Sequence, residues 1–233
     1  MQSVTAQSAQ VQLKVNAFVR SVYNWMALGL ALTGLIAFYV SNSPNLIRYF
    51  YTNRIIFFGL LIAELAIVFI LSARINKMSP TTATGLFLLY SALNGLTMSF
   101  VFIVYTSSSI ASTFFVCAAT FVACSVFGWT TKRDLTSLGG FLMMGLIGII
   151  IASVVNLFVG SSAFGMIISY VGVLVFVGLT AYDTQYIKNM ALSQPEGLEA
   201  GVLRRGAIIG ALKLYLDFIN LFLMLLRIMG NRD

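Results

Sequence analysis

The stretch GAIIGALKLYLDFINLFLMLLRIM, residues 206–229, has the length of a membrane-spanning helix but carries charged side chains in its middle. Its small and polar residues recur at steps of three and four, which places them on one stripe of a helix. The stripe consists of Gly206, Gly210, Lys213, Asp217, Asn220, Met224 and Arg227. Because charged groups inside a membrane face protein or water, the pattern predicts a helix that is central in a bundle.

The composition of the 233-residue chain predicts an integral membrane protein and excludes several soluble classes. Hydrophobic residues make up 59% of the chain and charged residues 9%, whereas a soluble domain carries about 25% charged residues. At about 20 residues per span, this apolar content is sufficient for about seven transmembrane helices. The sequence has no histidine, which excludes a Ser-His-Asp triad and a histidine-ligated zinc site.

Apolar runs bounded by polar or turn residues define seven predicted spans. They are residues 23–40, 55–73, 83–105, 111–130, 138–159, 163–187 and 206–229. The predicted fold is an all-α polytopic membrane protein, with six transmembrane helices surrounding a central seventh. Residues 1–22 are expected to be a cytoplasmic segment without the apolar core of a signal peptide, and residues 23–230 form the transmembrane domain. Only the connector 188–205 is long enough for local structure of its own.

Lysine and arginine residues near the span ends concentrate on the side of the amino terminus, which predicts that this terminus is cytoplasmic. Charge alone leaves open whether the seventh helix crosses fully or folds back as a re-entrant hairpin. The net charge of +7 is explained by the insertion topology, so we expect no nucleic-acid partner.

An unpaired charge within a bilayer costs several kcal/mol, so ionisable residues inside the predicted spans are functional candidates. They are Glu64, Asp183, Lys213 and Asp217. A weaker stripe on the sixth span consists of Gly165, Ser169, Gly172, Phe176, Thr180 and Asp183. Arg74, at the end of the second span, is either a partner for Asp183 at similar depth or an ordinary interface anchor. Glu64 is either protonated or paired with a cation, and Lys213 and Asp217 either neutralise each other or serve a function.

Helix spacing alone does not bring Asp183 and Asp217 together. At about 1.5 Å per residue, Asp183 lies about 7 Å inside Lys188, whereas Asp217 lies about 18 Å inside Arg205. A tilt, or a sixth helix that extends beyond its predicted end, is needed to bring the two carboxyls to one depth.

Four strings in the sequence resemble a known family. LTAYDTQ (residues 179–185) and LYLDFINLFLMLLR (residues 214–227) closely resemble signatures of the transmembrane Bax inhibitor motif family, the Bax inhibitor-1 group. YSALNGLT (residues 90–97) and TKRDL (residues 131–135) are similar to its bacterial members, and the resemblance covers about residues 18–230. It implies six helices around a hydrophobic seventh and a calcium leak that is gated by pH.

The resemblance also implies roles for individual residues. Asp183 and Asp217 are the implied pair of aspartates that share a proton, and Arg74 is the implied latch on Asp183 in the closed state. The two carboxylates are also the implied calcium ligands, although two alone form only a weak transit site. Lys213, one turn from Asp217, departs from the family pattern and is expected to weaken the attraction for calcium and shift the pH response. The candidate modulators are Glu64, Lys213 and Asn220.

The sequence therefore predicts a non-enzymatic, pH-sensitive calcium leak channel of the bacterial cytoplasmic (inner) membrane. Calcium is the transported ion, no cofactor is expected, and the predicted partners are the lipid bilayer, Ca²⁺ and protons. The main alternative is an interaction protein that modulates a membrane-bound protease or a stress response, as some bacterial relatives do. An intramembrane aspartyl protease is a remote alternative, because LYLD around Asp217 replaces the GxGD context of such enzymes. A retinal pump is more remote still, because Asp217 follows Lys213 instead of preceding it.

Overall fold

Helices account for nearly all of the chain that the computed structural model describes, which is residues 2–194 and 199–232, with side chains from residue 11. Within these residues there are nine α-helices and no β-strand. The helices are α1 (Gln2–Ser41), α2 (Pro44–Thr52), α3 (Arg54–Arg74), α4 (Pro80–Met98), α5 (Val101–Val104), α6 (Ser107–Thr130), α7 (Thr136–Val159), α8 (Ser162–Leu192) and α9 (Ala200–Met229). The predicted all-α class is confirmed.

Seven helical stretches among the described residues are long and apolar enough to cross a membrane. They are Val11–Ser41, Arg54–Lys77, Pro80–Val104, Ser107–Thr130, Thr136–Val159, Ser162–Leu192 and Ala200–Met229. Each overlaps one predicted span, so the predicted number of transmembrane helices is confirmed. The first stretch begins before residue 23, because α1 continues back through the polar residues of the amino-terminal segment.

The connector predicted at residues 188–205 is shorter than expected. The sixth and seventh spans extend into it from both ends, since α8 continues to Leu192 and α9 begins at Ala200. The apolar face of α8 runs past its predicted end because Ile187 and Ala191, one turn apart, are both buried. Packing therefore prolongs α8 through residues that the composition assigns to a polar connector.

The connector between the first two spans contains a helix, α2, that the sequence did not predict. Pro44 begins this helix, where the missing N–H of proline costs no hydrogen bond. At its end, the Asn53 side chain accepts hydrogen bonds from the N–H groups of Ile55 at 3.1 Å and Ile56 at 3.4 Å. This cap begins α3 directly, so α2 and α3 are separated by a single residue.

The third predicted span is interrupted between α4 and α5. The Tyr51 hydroxyl donates to the carbonyl oxygen of Leu96 at 3.1 Å, and the Ser99 hydroxyl donates to the same oxygen at 2.6 Å. These side-chain hydrogen bonds occupy a carbonyl of the last turn of α4, which is a recognised cause of helix breaks. Burial raises the pKa of the Tyr51 phenol, so this group remains a donor at neutral pH.

The helices divide between two compact units. The first contains α1 to α5 together with residues Ala191–Tyr215, and the second contains residues Tyr105–Met190 together with Leu216–Arg232. The first half of α9 therefore belongs to one unit and its second half to the other.

In the first unit, α1 packs along α4 through small residues. A Cβ atom added to Gly29 would lie 2.7 Å from the Phe87 ring. A Cβ atom added to Gly95 would lie 2.8 Å from the carbonyl oxygen of Thr33. Glycine at these two positions allows the helices to approach more closely than a larger residue would permit.

In the second unit, α6, α7 and α9 each approach α8 at a glycine. Gly128 of α6 lies against the backbone of Ala181, and Gly139 of α7 lies against the ring of Tyr182. Gly172 of α8 lies against the side chain of Met224 on α9. In this unit α8 is therefore the shared packing partner of the other helices.

The seventh span is the most buried of the seven. In the most apolar 18 residues of this span 56% of the residues are buried, whereas in the corresponding stretch of the span formed by α7 the share is 6%. No residue of α9 from position 205 to position 228 is exposed. Leu214, Tyr215 and Leu221 are fully buried although they lie outside the predicted polar stripe. The predicted interior position of this helix is confirmed, and the burial extends to all of its faces.

Candidate functional site

The predicted stripe on α8 is buried along its whole length. All six of its residues, Gly165, Ser169, Gly172, Phe176, Thr180 and Asp183, are buried. Asp183 retains 5% of its surface exposed. The periodicity of small and polar residues in the sixth span thus identified the face of the helix that packs against protein.

Asp217 of α9 is the second buried carboxyl of the same unit, with 4% of its surface exposed. The unit therefore buries two acidic side chains, Asp183 and Asp217, on two helices that pack together. A buried carboxylate is expensive unless it is paired, hydrogen-bonded or protonated.

Contacts between α8 and α9 fix their relative direction. Gly165 of α8 lies against the guanidinium of Arg227, and Gly172 lies against the side chain of Met224. The two helices are therefore antiparallel. From the Gly172 contact, Asp183 lies about 16 Å further along α8, and Asp217 lies about 10 Å back along α9 in the same direction.

This register reduces the difference in depth that the sequence alone indicates for the two carboxyls. The offset falls from about 11 Å to about 6 Å, which side-chain reach and helix tilt can cover. The extension of α8 beyond residue 187, which the sequence identified as one way to bring Asp183 and Asp217 to one depth, is present. Their sharing of a proton stays a prediction.

The segment of α8 around Asp183 is held by hydrogen bonds to the end of α6 and to the connector that follows it. Gln185 accepts a bond from the Leu135 N–H at 2.8 Å and donates one to the Arg133 carbonyl at 2.9 Å. One turn later, the Lys188 ammonium donates to the carbonyl of Trp129 at 2.7 Å. The LTAYDTQ and TKRDL strings therefore contact each other, and their hydrogen bonds fix the register of α8 next to Asp183.

Arg74 is the last residue of α3, and its side chain is exposed. It belongs to the first unit, whereas Asp183 belongs to the second. Its role as a latch on Asp183 stays a prediction.

Two of the candidate modulators lie on α9. Lys213 is half-buried. Asn220 is also half-buried, and its amide donates to the carbonyl of Leu216 on the same helix at 2.8 Å. The Asn220 NH₂ group thus has a hydrogen-bond partner within α9. The modulating role of Asn220 stays a prediction.

Glu64, the third candidate modulator, is buried on α3 in the first unit. Its carboxyl accepts a hydrogen bond from the Thr97 hydroxyl at 2.9 Å, and the Asn94 side chain also hydrogen-bonds to it. Both partners lie at the end of α4. Glu64 is therefore bonded to a neighbouring helix by uncharged donors. Its protonation and its modulating role stay predictions.

Hydrogen bonds extend from the Glu64 site into the interior of the first unit. The Tyr215 hydroxyl donates to the Asn94 side-chain oxygen at 3.2 Å and lies 2.6 Å from the Thr33 hydroxyl. Thr33 in turn donates to the Ser91 carbonyl at 2.8 Å. Asn94 of α4 therefore links α3 and α9 through its side-chain hydrogen bonds. Tyr215 and Thr33 were not identified from the sequence, although Tyr215 lies in the conspicuous string LYLD.

Among the residues that the structure describes, no group of three or more His, Cys, Asp or Glu side chains is placed to hold a metal ion. The carboxylates of Asp183 and Asp217 are hard oxygen ligands of the kind that Ca²⁺ accepts. An ion that meets only two carboxylates is released readily, which suits an ion in passage better than a resident one.

Comparison with known proteins gives a consistent assignment. The family model described as Inhibitor of apoptosis-promoting Bax1 matches residues 15–233. The chain is 53% identical over 223 residues to Inner membrane protein YbhL of Escherichia coli strain K12, covering 96% of this chain and 95% of that protein. It is 43% identical to an uncharacterized protein of Borreliella burgdorferi, covering 100% and 99% of the two chains.

A third relative extends the similarity to another bacterial group. An uncharacterized protein of Deinococcus radiodurans is 42% identical over 233 residues, covering 100% of this chain and 98% of that protein. Together with the seven apolar helices, these matches confirm the similarity that the LTAYDTQ and LYLDFINLFLMLLR strings indicated. The chain is a multi-pass membrane protein that belongs to the family of Bax1 inhibitors, the Bax inhibitor-1 group.

Proposed function

We propose that this protein is a pH-sensitive calcium leak of the bacterial inner membrane, gated by Asp183 and Asp217. The observation that supports the proposal is the burial of both carboxyls within one compact unit, on antiparallel helices in contact. One relative is named an inner membrane protein, and the seven apolar helices of this chain suit the same location. In the proposed topology the amino terminus is cytoplasmic and the protein has no enzymatic activity.

The gating mechanism follows from the electrostatics of a buried carboxyl pair. In a low-dielectric site two neighbouring carboxyls do not readily both ionise, so the pair holds one shared proton near neutral pH. Loss of that proton makes the two charges repel, and gain of a second proton removes the remaining charge. Each change alters the attraction between α8 and α9. The proposed pore therefore opens or closes as the pair titrates.

In the proposal the carboxylates of Asp183 and Asp217 also bind the transported Ca²⁺ transiently. Calcium prefers oxygen ligands and binds weakly to a site with only two carboxylates. In the proposal Ca²⁺ moves down its gradient past Asp183 and Asp217 without a resident site. Lys213, one turn from Asp217, places a positive charge near this path and reduces the attraction for the cation.

Calcium flux in proteoliposomes tests the central pair. Purified protein is reconstituted into vesicles that contain a calcium indicator, and flux is measured from about pH 5 to about pH 9, where perturbed carboxyls titrate. We expect Asp217→Asn to change the flux and to shift its pH profile, because the remaining carboxyl titrates without a second carboxyl beside it. Asp134→Asn is the matched control, because Asp134 is an exposed carboxyl of the same unit. An Asp217→Asn protein with unchanged flux and pH profile would overturn the proposal.

The latch is tested separately in the same vesicles. We expect Arg74→Gln to raise the leak at neutral pH several-fold, because the closed state loses the charge that holds Asp183. Lys77→Gln is the control, because Lys77 is another exposed cation at the same end of this span. Equal leaks in the two variants would show that the loss of surface charge, and not a latch, sets the flux.

A further inference from the structure

An open cavity lies at the surface of the first unit, where α2 meets α3. Its volume is about 680 Å³. The residues that line it with polar or charged side chains are Asn45, Arg48, Tyr49, Thr52, Asn53 and Arg54. The lining contains two guanidinium groups and no carboxylate. Its charge and its hydrogen-bond donors therefore favour an anion.

The two arginines of this cavity are not explained by membrane insertion. Arg48 and Arg54 lie in the connector predicted on the side opposite the amino terminus, where the positive-inside rule favours few cations. Both side chains are exposed. Guanidinium groups match the geometry of phosphate oxygens because each presents paired N–H donors. Two such groups at one cavity point to a phosphate group as the ligand.

The cavity is held in shape by contacts of the two short segments that form it. Tyr51 anchors α2 through hydrogen bonds from its hydroxyl to the carbonyls of Leu96 and Thr97, at 3.1 Å and 3.2 Å. Asn53 caps α3 with its side-chain oxygen, which fixes the direction of the chain between Arg48 and Arg54. The two guanidinium groups therefore extend from segments whose backbones are fixed.

Apolar surface continues from the cavity down the side of α3. Ile55 lines the cavity and is 84% exposed, and Phe58, one turn further on, is 58% exposed. Side chains this apolar and this exposed, at the start of the span Arg54–Lys77, are typical of contact with lipid chains. A ligand that fits both parts of the surface carries a phosphate group above hydrocarbon chains. A free phosphate ion would use only the arginines.

We propose that this cavity binds the headgroup of an anionic phospholipid, with Arg48 and Arg54 holding the phosphate and the exposed face of α3 contacting the acyl chains. The α2 helix has the character of an interfacial helix: its half-buried residues are mainly Leu46, Ile47, Phe50 and Tyr51, and its polar residues face outward. Bound lipid anchors the connector between the first two spans at the membrane surface.

Lipid titration of the full-length protein tests this proposal. The protein is delipidated in a maltoside detergent, and binding of phosphatidylglycerol, phosphatidylcholine and inorganic phosphate is followed by native mass spectrometry. We expect phosphatidylglycerol to bind most tightly. In the double variant Arg48→Gln/Arg54→Gln its affinity should fall at least about ten-fold, equivalent to about 1.4 kcal/mol. The matched control is Lys132→Gln/Arg133→Gln, which removes two exposed cations from another connector and should leave the affinity unchanged.

The other possible results of the lipid titration contradict the proposal. Equal losses in the two double variants would show a general effect of charge, and no loss in either would place the lipid elsewhere. Displacement of phosphatidylglycerol by an equal concentration of inorganic phosphate would make the site one for a free anion. If the glutamine variant does not fold, Arg48→Lys/Arg54→Lys keeps the charge but loses the paired donors. That variant should bind several-fold more weakly than the unmodified protein, and equal binding would contradict the assigned geometry.

Discussion

Both units of the molecule bury acidic side chains, but the number and the surroundings of the buried carboxyls differ. In the first, Glu64 is buried and receives hydrogen bonds from uncharged groups, the Thr97 hydroxyl and the Asn94 amide. In the second, Asp183 and Asp217 are both buried on helices in contact. A single carboxyl with fixed donors is held in one arrangement, whereas two carboxyls respond to each other's charge. In the function proposed above, Glu64 therefore has a structural role and the aspartate pair responds to pH.

The largest effect is expected where the second unit positions its aspartates. Gly128 of α6 lies against the backbone of Ala181, two residues before Asp183. Backbone cannot move aside as a flexible side chain can, so Gly128→Ala should lower the free energy of unfolding by about 2–3 kcal/mol. The measurement is thermal or denaturant unfolding of the purified protein in detergent.

The control for Gly128 is Gly148 of α7, which has open space around it. Alanine is a better helix former than glycine, so Gly148→Ala should leave the stability unchanged or raise it by about 0.5–1 kcal/mol. Opposite signs for the two substitutions would establish the close approach of α6 to α8. Equal stabilisation by both would contradict it, and with it the fixed position of Asp183.

A smaller effect is expected at the carboxyl of the first unit. Thr97→Val removes the hydroxyl that donates to Glu64 and leaves a buried carboxyl with one donor fewer. The expected loss of stability is about 1–2 kcal/mol, measured by the same unfolding experiment. Thr130→Val is the control, because the Thr130 hydroxyl is exposed and bonds only to the Val126 carbonyl of its own helix.

The Thr97→Val variant also tests whether Glu64 contributes to the pH dependence of calcium flux. The pH profile of calcium flux should be the same in Thr97→Val as in the unmodified protein, since the aspartate pair is intact. A shift of that profile as large as the shift caused by Asp217→Asn would assign the pH response to Glu64 and end the division of roles proposed above.

The spans and the buried carboxyls could be predicted from the sequence because polar and charged side chains avoid contact with lipid hydrocarbon. Polar residues at helical spacing, such as Ser169 and Thr180 on α8, mark a packed face wherever the alternative is contact with hydrocarbon. Charged residues inside a span are conspicuous for the same reason, so the sequence alone was sufficient to make Asp183 and Asp217 candidates.

Other features depend on contacts that no local pattern contains. The break between α4 and α5 depends on Tyr51, which belongs to the preceding connector. The Tyr215–Thr33 contact joins residues 182 positions apart, and hydroxyl groups are too common in helices to single out this pair. The length of α8 depends on burial of Ala191, beyond the last residue of the predicted span. These are properties of packing between helices, and only the folded chain shows them.

The smallest effect is expected at Asp134, an exposed carboxyl that serves as a reference for the buried ones. Hydrogen bonds from the Thr136 hydroxyl and from the Thr136 N–H, the latter at 2.9 Å, hold the pKa of Asp134 below its usual value. A carboxyl whose pKa is lowered by folding contributes stability above its unfolded pKa and loses that contribution as the pH falls through the folded one. The pH range over which ionisation of Asp134 changes the stability is therefore acidic, and it lies below the neutral range in which the proposed gate responds.

Thr136→Val removes one of the two donors and should raise the pKa of Asp134 toward its usual value, which carbon NMR of labelled aspartate can measure. Because Asp134 is exposed, we expect no measurable change in stability at neutral pH. The pH profile of calcium flux should also stay in place, because the gate is assigned to buried carboxyls and not to this connector. If the flux profile moved together with the pKa of Asp134, the pH sensor would lie at the membrane surface, and burial of Asp183 and Asp217 would have to be explained by packing alone.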